Sequence, residues 1–340
     1  MNFDFNDDQQ AIKRTARELL AARFTPDRVR ELAEARRYDD EAWRELCELG
    51  WPGIFVDERF GGQGLGTVEL VILAEELGYA LAPLPFLSRA AAGLVLQAAG
   101  SDEQRERWLA PLARGELSAT LALTHGGEAR LVPDAAEADL LVAVEGGEAQ
   151  LFERGSFEAQ ALDTIDLTRS YASVRVEGSG EPLPGDPSAG VDRALVALAA
   201  ELVGIAQRTL EMAVQYARER KQFGRPIGAY QAVSHRCAQM LLETESARSL
   251  TYYAAWTAES EPESLPLASA MAKSYASDAG WRTSAQALQV FGGIGFTWEH
   301  DLHFFLKRAR TDAHLWSMGR ELRARVADLT GLERTAPTAA

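Results

Sequence analysis

Arg220, Gln222 and Phe223, followed shortly by Gln231, are the residues of this chain whose types and spacing most invite a chemical reading. They lie in RERKQFGRPIGAYQAVSHR, residues 218–236. A guanidinium is by type a binder of carboxylate or phosphate. Taken alone, however, the run reads as a helix ending in a charged turn, its cations meeting the negative end of the helix dipole. Other chemistries fare worse. GGQGLGTVE at 61–69 and FGGIGF at 291–296 are glycine-rich, but neither has the G-x-G-x-x-G spacing and no βαβ unit follows. The first reads as a loop before a helix capped by Thr67, the second as a glycine turn between helices. His300 and His303 sit three residues apart without a Cys or carboxylate at ligand spacing, so no metal site is expected. No G-x-S-x-G occurs.

The elements that must position these residues fall into three blocks. DDQQAIKRTARELLAARF puts Ile12, Ala16, Leu19, Leu20 and Phe24 on one helical stripe. DDEAWRELCELG repeats the pattern, with Gly50 as its stop. TVELVILAEELGYALAP, ending at Gly78, and SDEQRERWLAPLARGE, capped by Ser101, extend a helical block over 1–117. From 118 to 188 short alternating runs separated by glycines predict a small β module, closed by the linker GSGEPLPGDPSAG. From 189 to 332 the spacing predicts four long helices, at about 192–220, 228–260, 265–290 and 301–329, joined as an antiparallel bundle. Residues 333–340 form a tail. The fold class is thus mainly α with a central β module. The absence of alternating βαβ units argues against a Rossmann sheet.

Composition narrows the function. The chain has 340 residues, 35 Lys and Arg against 50 Asp and Glu, and a net charge of −15. Nucleic-acid binding needs a basic face and is not expected. No apolar run of about 18 residues appears, so no membrane span is expected. The N-terminus lacks the charged and apolar regions of a signal peptide, and a cytoplasmic location is expected. Cys47 and Cys237 lie in helical patterns outside any C-x-x-C and read as buried free thiols.

Read together, the pieces resemble the acyl-CoA dehydrogenase family. The resemblance rests on YARERKQFGRPIGAYQAVSHRCAQM, on ALQVFGGIGF some 50 residues later, on GWPGIFVDERFGGQGLGTVELVILAEELGYALAPLPF and on RERWLAPLARGE. It spans essentially the whole chain, and helix–β–helix is the family's order. It implies FAD as cofactor, an acyl-CoA substrate, and α,β-desaturation of the thioester. It also implies a dimer or tetramer with another copy or a second dehydrogenase subunit, and an electron-transfer flavoprotein as acceptor. By the same resemblance Arg220, Gln222, Phe223 and Gln231 meet a neighbouring subunit's FAD, and Gln289, Gly292 and Gly293 cradle the same cofactor. Bare backbone N–H groups and a guanidinium suit its diphosphate.

Three departures stand out. The position of the family's usual catalytic Glu is Trp316, and an alternative family position, at the start of the first bundle helix, is Ala194. Where the family has a Thr-Glu-Pro-Gly-x-Gly-Ser-Asp loop the chain reads LALTHGGEARLVP, keeping Thr124 but not the Glu-Pro or the Ser-Asp. The catalytic residue is therefore unknown from sequence. The chain reads as the base-lacking subunit of a heteromeric enzyme, of the kind that shortens steroid side chains. The alternatives are a self-sufficient homo-oligomer with a relocated base at Asp192, Glu201 or Asp312, or a non-catalytic binding subunit.

Overall fold

Capping chemistry sets the first helices. In the computed structural model, which describes residues 4–332, Asn6 and Gln9 form a reciprocal capping box that starts α1 (Asp7–Arg23). Thr25 caps α2 (Pro26–Ala35) and Asp39 caps α3 (Asp40–Glu48). Gly50, at φ 74°, ends the α3 turn as the sequence predicts. α4 (Thr67–Ala80), α5 (Phe86–Ala99) and α6 (Asp102–Ala113) complete the helical block, and Ser101 caps α6 as expected. Thr67 is not a cap but the first residue of α4: its backbone N–H and hydroxyl both donate to Glu259.

The β module holds β1 (Ala119–Leu123), β2 (Glu128–Pro133), β3 (Leu140–Glu145), β4 (Glu148–Glu153), β5 (Phe157–Ala161), β6 (Tyr171–Val176) and β7 (Glu181–Leu183). They form two sheets, ordered β1-β3-β4-β7 and β2-β6-β5. The expected linker is partly strand, because Glu181–Leu183 pair antiparallel with β4.

α7 (Ser188–Glu219) leads through a hairpin of β8 (Lys221–Gln222) and β9 (Arg225–Pro226) into α8 (Gln231–Ser260) and α9 (Leu265–Phe291). The expected fourth long helix is two: α10 (Leu302–Asp312) and α11 (Gly319–Leu329). The chain turns between them where Trp316 takes a left-handed φ of 64° and its indole N–H donates to the Leu121 carbonyl of β1 at 3.1 Å. An indole reaching a buried strand carbonyl outweighs local helix propensity here. The bundle is thereby pinned to the β module.

α4 and α7 cross in close contact. Gly78 does not end α4 but lies inside it; a Cβ there would stand 2.1 Å from the Glu201 carbonyl oxygen. Gly204 is its counterpart on α7, where a Cβ would stand 2.0 Å from the Glu75 carbonyl. Backbone can approach backbone this closely only where both positions lack side chains. The crossing holds Glu201 against the helical block.

Candidate functional site

The residues singled out from the sequence gather at one end of the bundle, facing outward. Arg220 ends α7, its N–H bonded to the Tyr216 carbonyl at 2.8 Å. Gln222 and Phe223 sit at the tip of the β8–β9 hairpin, and Gln231 opens α8. Gln289 lies in the last turn of α9, and Gly292 and Gly293 follow it in a 3₁₀ turn. The Tyr216 and Phe291 rings, stacked with centroids 4.3 Å apart, join the two groups. Arg220, Gln222, Gln231, Gln289 and Gly293 are exposed and Gly292 is half-exposed. No carboxylate lies within 4.0 Å of the Arg220 guanidinium among the described residues. A Cβ at Gly292 or Gly293 would meet nothing within 4 Å, so that backbone is open to approach.

Phe223 is 93% exposed and sits at φ 52°, followed by Gly224 at φ 80°. Two positive φ values in a two-residue hairpin loop favour Asn-Gly, not Phe-Gly. The ring meets Tyr230 edge-on, with centroids 6.4 Å apart, and otherwise faces solvent, so the strain is not offset by burial. Phe223→Asn is expected to raise the chain's own stability, by up to about 1 kcal/mol, while weakening subunit association. Urea unfolding and analytical ultracentrifugation measure the two effects, and a loss of stability without a loss of association would contradict the expectation.

The β1–β2 turn is occupied from within. The Thr124 hydroxyl donates to Glu145 at 2.9 Å, and the Gly126 and Gly127 N–H groups donate to the same carboxylate at 2.6 and 3.1 Å. These backbone donors, Gly127 first, hold the Glu145 carboxyl below its ordinary range. The turn's donors are thus spent on the chain's own anion.

A buried charge lattice fills the meeting point of the three blocks. Arg169, just before β6, donates to both Glu201 oxygens at 2.8 Å and to Asp312 at 3.0 Å. Arg308 on α10 donates to Asp166 at 2.7 Å, to Glu201 at 2.7 Å and to the Thr168 hydroxyl at 2.6 Å. Burial opposes ionisation of Glu201, and the Arg169 and Arg308 charges outweigh it, holding Glu201 at about 2. Burial, reinforced by the Glu201 charge, pushes Asp312 well above its ordinary value. Burial also lowers nearby Lys273 to about 8; its ammonium donates to Ser277 at 2.9 Å. The space left beside Arg169, Glu201, Arg308, Phe86 and Leu87 is about 10 Å³, at the limit of what one water needs.

The candidate bases are therefore engaged at one oxygen or both. Glu201 and Asp312 belong to the lattice, Asp312 through Oδ1 alone, its Oδ2 being buried without a hydrogen-bond partner. Asp192 is bound by Arg325 at 2.6 and 2.9 Å and by the Ser269 hydroxyl at 2.8 Å. Ala194 is buried and apolar-lined, and Trp316 is bonded to β1. His303 packs on Trp298 and Phe304, and His300 on Phe291. The two cysteines are free but half-buried rather than buried, because each sits on a helix flank instead of the inward stripe. Sequence reasoning missed Arg169, Asp166 and Arg308. They lie up to 142 residues apart, and nothing local in LTRSYA or LKRAR marks them as partners.

Residues 6–116 match the acyl-CoA dehydrogenase N-terminal domain, and residues 189–315 match the acyl-CoA dehydrogenase C-terminal domain. The chain belongs to the acyl-CoA dehydrogenase family. It is 36% identical over 322 residues to the acyl-CoA dehydrogenase IpdE2 of Mycobacterium tuberculosis, covering 94% of this chain and 96% of that one. IpdE2 of Mycolicibacterium smegmatis is 34% identical over 318 residues, covering 93% and 96%. Among solved structures, a chain of the ChsE4-ChsE5 complex from Mycobacterium tuberculosis superposes with a TM-score of 0.89 at 25% identity, covering 98% of this chain and 100% of that one.

FAD is the cofactor of this family, and the two regions of the chain differ in their fit to it. The outward face fits: an unpaired guanidinium, three exposed amides and open glycine backbone form a donor set for a diphosphate approaching from outside. The β1–β2 turn does not fit, since Glu145 consumes its N–H donors. No helix among the described residues is long and apolar enough to cross a membrane.

Proposed function

We propose that the chain is the base-lacking subunit of a heteromeric, FAD-dependent acyl-CoA dehydrogenase, its helical block at 1–117, β module at 118–188 and bundle at 189–332. The observation that carries this reading is the charge lattice in the interdomain space. With Arg169, Arg308 and Glu201 interlocked, about 10 Å³ is left on their Phe86–Leu87 side; a larger cavity of about 410 Å³ adjoins the lattice at Tyr38, Asp166, Thr168 and Arg169, and its Asp166 carboxylate is held by Arg308 and Thr168. The outward face, by contrast, is built for a ligand held by someone else. Arg220 and the Gly292–Gly293 backbone would hold the diphosphate, with Gln222, Gln231 and Gln289 as further donors or acceptors and Phe223 as an apolar contact. FAD bound there supplies the hydride acceptor; this chain positions it and excludes water from it. The proton-abstracting carboxylate comes from the partner subunit. The likeness to IpdE2 and to the ChsE4-ChsE5 chain favours a partner of the same family, a bulky steroid-derived acyl group as substrate, and a soluble cytoplasmic enzyme reoxidised by an electron-transfer flavoprotein.

Co-expression with a dehydrogenase subunit that keeps its Glu tests the reading. A mixed oligomer by light scattering, with bound flavin by absorbance, is the expected result. A homo-oligomer carrying its own flavin overturns it. In the mixed assembly, Arg220→Ala is expected to weaken FAD retention about tenfold or more, since a hydrogen bond to a charged group contributes about 1.5–3 kcal/mol. Unchanged FAD affinity in a titration refutes that role.

A further inference from the structure

A second cavity lies on the other side of α4 from the charge lattice. Leu77 faces the lattice, whereas Glu76, Tyr79 and Ala80 face this cavity. It has a volume of about 280 Å³ and is lined by residues of α1, α2, α4, α7 and α10. Its apolar walls include Leu20, Phe24, Val29, Met212 and Phe305; all but the half-buried Met212 are buried. That size is near the lower end of small-ligand pockets, roughly 300–1,000 Å³.

The polar groups converge on one place. The Tyr79 ring lies between two guanidinium groups, Arg17 at 3.5 Å and Arg208 at 5.3 Å from its centroid. Arg17 is neutralised by Glu76. The Tyr79 hydroxyl is committed to Glu211 at 2.5 Å, and Gln207 donates to the other oxygen of that carboxylate at 2.6 Å. Asp301 is taken by Arg30. Arg208 is different: its one protein acceptor is the Tyr79 oxygen at 3.4 Å, and no carboxylate stands within 4.0 Å of it among the described residues. Four of its five N–H groups therefore have no protein acceptor.

We propose that this cavity binds an amphiphilic anion, an apolar body of medium length carrying one carboxylate, with the carboxylate on Arg208 and the body against Leu20, Phe24, Val29, Met212 and Phe305. An apolar-walled cleft with one half-exposed guanidinium that has no carboxylate partner selects for that combination. Neutral chains leave the guanidinium without an anion, and small anions leave the apolar walls wet. Glu201 and Arg208 are seven residues apart on α7, about 10 Å of rise, so the site is separate from the lattice. It depends neither on a partner subunit nor on the reaction proposed above.

Isothermal titration of the full chain with decanoate, 1-decanol and acetate tests the site. Decanoate is expected to bind with a dissociation constant below about 1 mM, and both 1-decanol and acetate at least ten times more weakly. Arg208→Gln is expected to weaken decanoate tenfold or more, Arg208→Lys to restore part of it, and Met212→Trp, which fills the cavity, to abolish it. Thermal unfolding of each variant confirms that it is folded, and the ligand series on the unmodified chain stands even if one variant is not. No binding of decanoate, equal binding of decanoate and 1-decanol, or binding unchanged in both Arg208→Gln and Met212→Trp overturns the proposal.

Discussion

The chain on its own is expected to give no acyl-CoA-dependent dye reduction above background. Both family positions for the base are apolar, Trp316 and Ala194, and loss of a general base costs about 10²–10⁴ in rate. The three carboxylates nearest to those positions are no substitutes. Asp192 is clamped by Arg325, Glu201 by Arg169 and Arg308, and Asp312 by Arg169. Asp312 keeps one oxygen, Oδ2, without a hydrogen-bond partner, but the residue is fully buried and lines neither the space beside Phe86 nor the larger cavity at Arg169, and a base must reach its proton. Trp316→Glu is not expected to restore turnover. The new carboxylate would replace an indole bonded to Leu121, with the lattice arginines and carboxylates still paired and the β1–β2 turn still held by Glu145. Turnover by the isolated chain, or by Trp316→Glu alone, measured by dye reduction against size-exclusion with light scattering, would return the search for a base to Asp192, Glu201 and Asp312.

The largest stability effect is expected at Arg308. Its guanidinium is buried and joins Asp166, Glu201 and Thr168. Arg308→Ala leaves two carboxylates under-compensated in a dry interior, and breaking a buried pair in this way costs about 3–5 kcal/mol. Urea unfolding at pH 7 measures it. A loss below about 1 kcal/mol would mean that the lattice is hydrated or rearranges. The pH dependence gives a second reading of the same contact. Glu201 is held at about 2 in the folded chain against an ordinary 4.5. Its contribution is therefore complete above about 4.5 and is lost as pH falls toward 2. Asp312 runs in the opposite sense: its value is raised on folding, so it erodes stability as pH rises above its ordinary 3.8. Removing Arg308 weakens the depression of Glu201. The gap between wild type and Arg308→Ala is accordingly expected to shrink as pH falls from 4.5 to 3, and a constant gap would detach Glu201 from Arg308.

The division of labour inside the molecule follows from these contacts. Charges that in an active site would be spaced to receive a ligand are here largely paired with one another, with Arg169 Nε and Asp312 Oδ2 left without a partner. A buried arginine with two carboxylate partners contributes little net stability compared with an apolar core, but it fixes which elements meet. Arg169 ties the β module to α7 and α10, and Trp316 ties the α10–α11 turn to β1.

By itself the sequence determined the order of the blocks, most helix positions, the caps at Ser101 and Gly50, and the family. These rest on local periodicity and short motifs, which a linear reading can see. It also located the outward-facing set from Arg220 to Gly293, because each half is a contiguous run. The break between α10 and α11 escaped it: the indole–carbonyl bond that accompanies the turn at Trp316 joins residues 195 apart, while the local pattern stays helical. The fate of Asp192, Glu201 and Asp312 escaped it for the same reason. A carboxylate's availability depends on which arginine the fold brings beside it. Arg169, Arg308 and Arg325 arrive from 32 to 143 residues away. Only the tertiary structure, through the glycine-permitted crossing of α4 and α7 and the seating of the β module on the bundle, decided that these charges would meet as pairs at the junction of the three blocks.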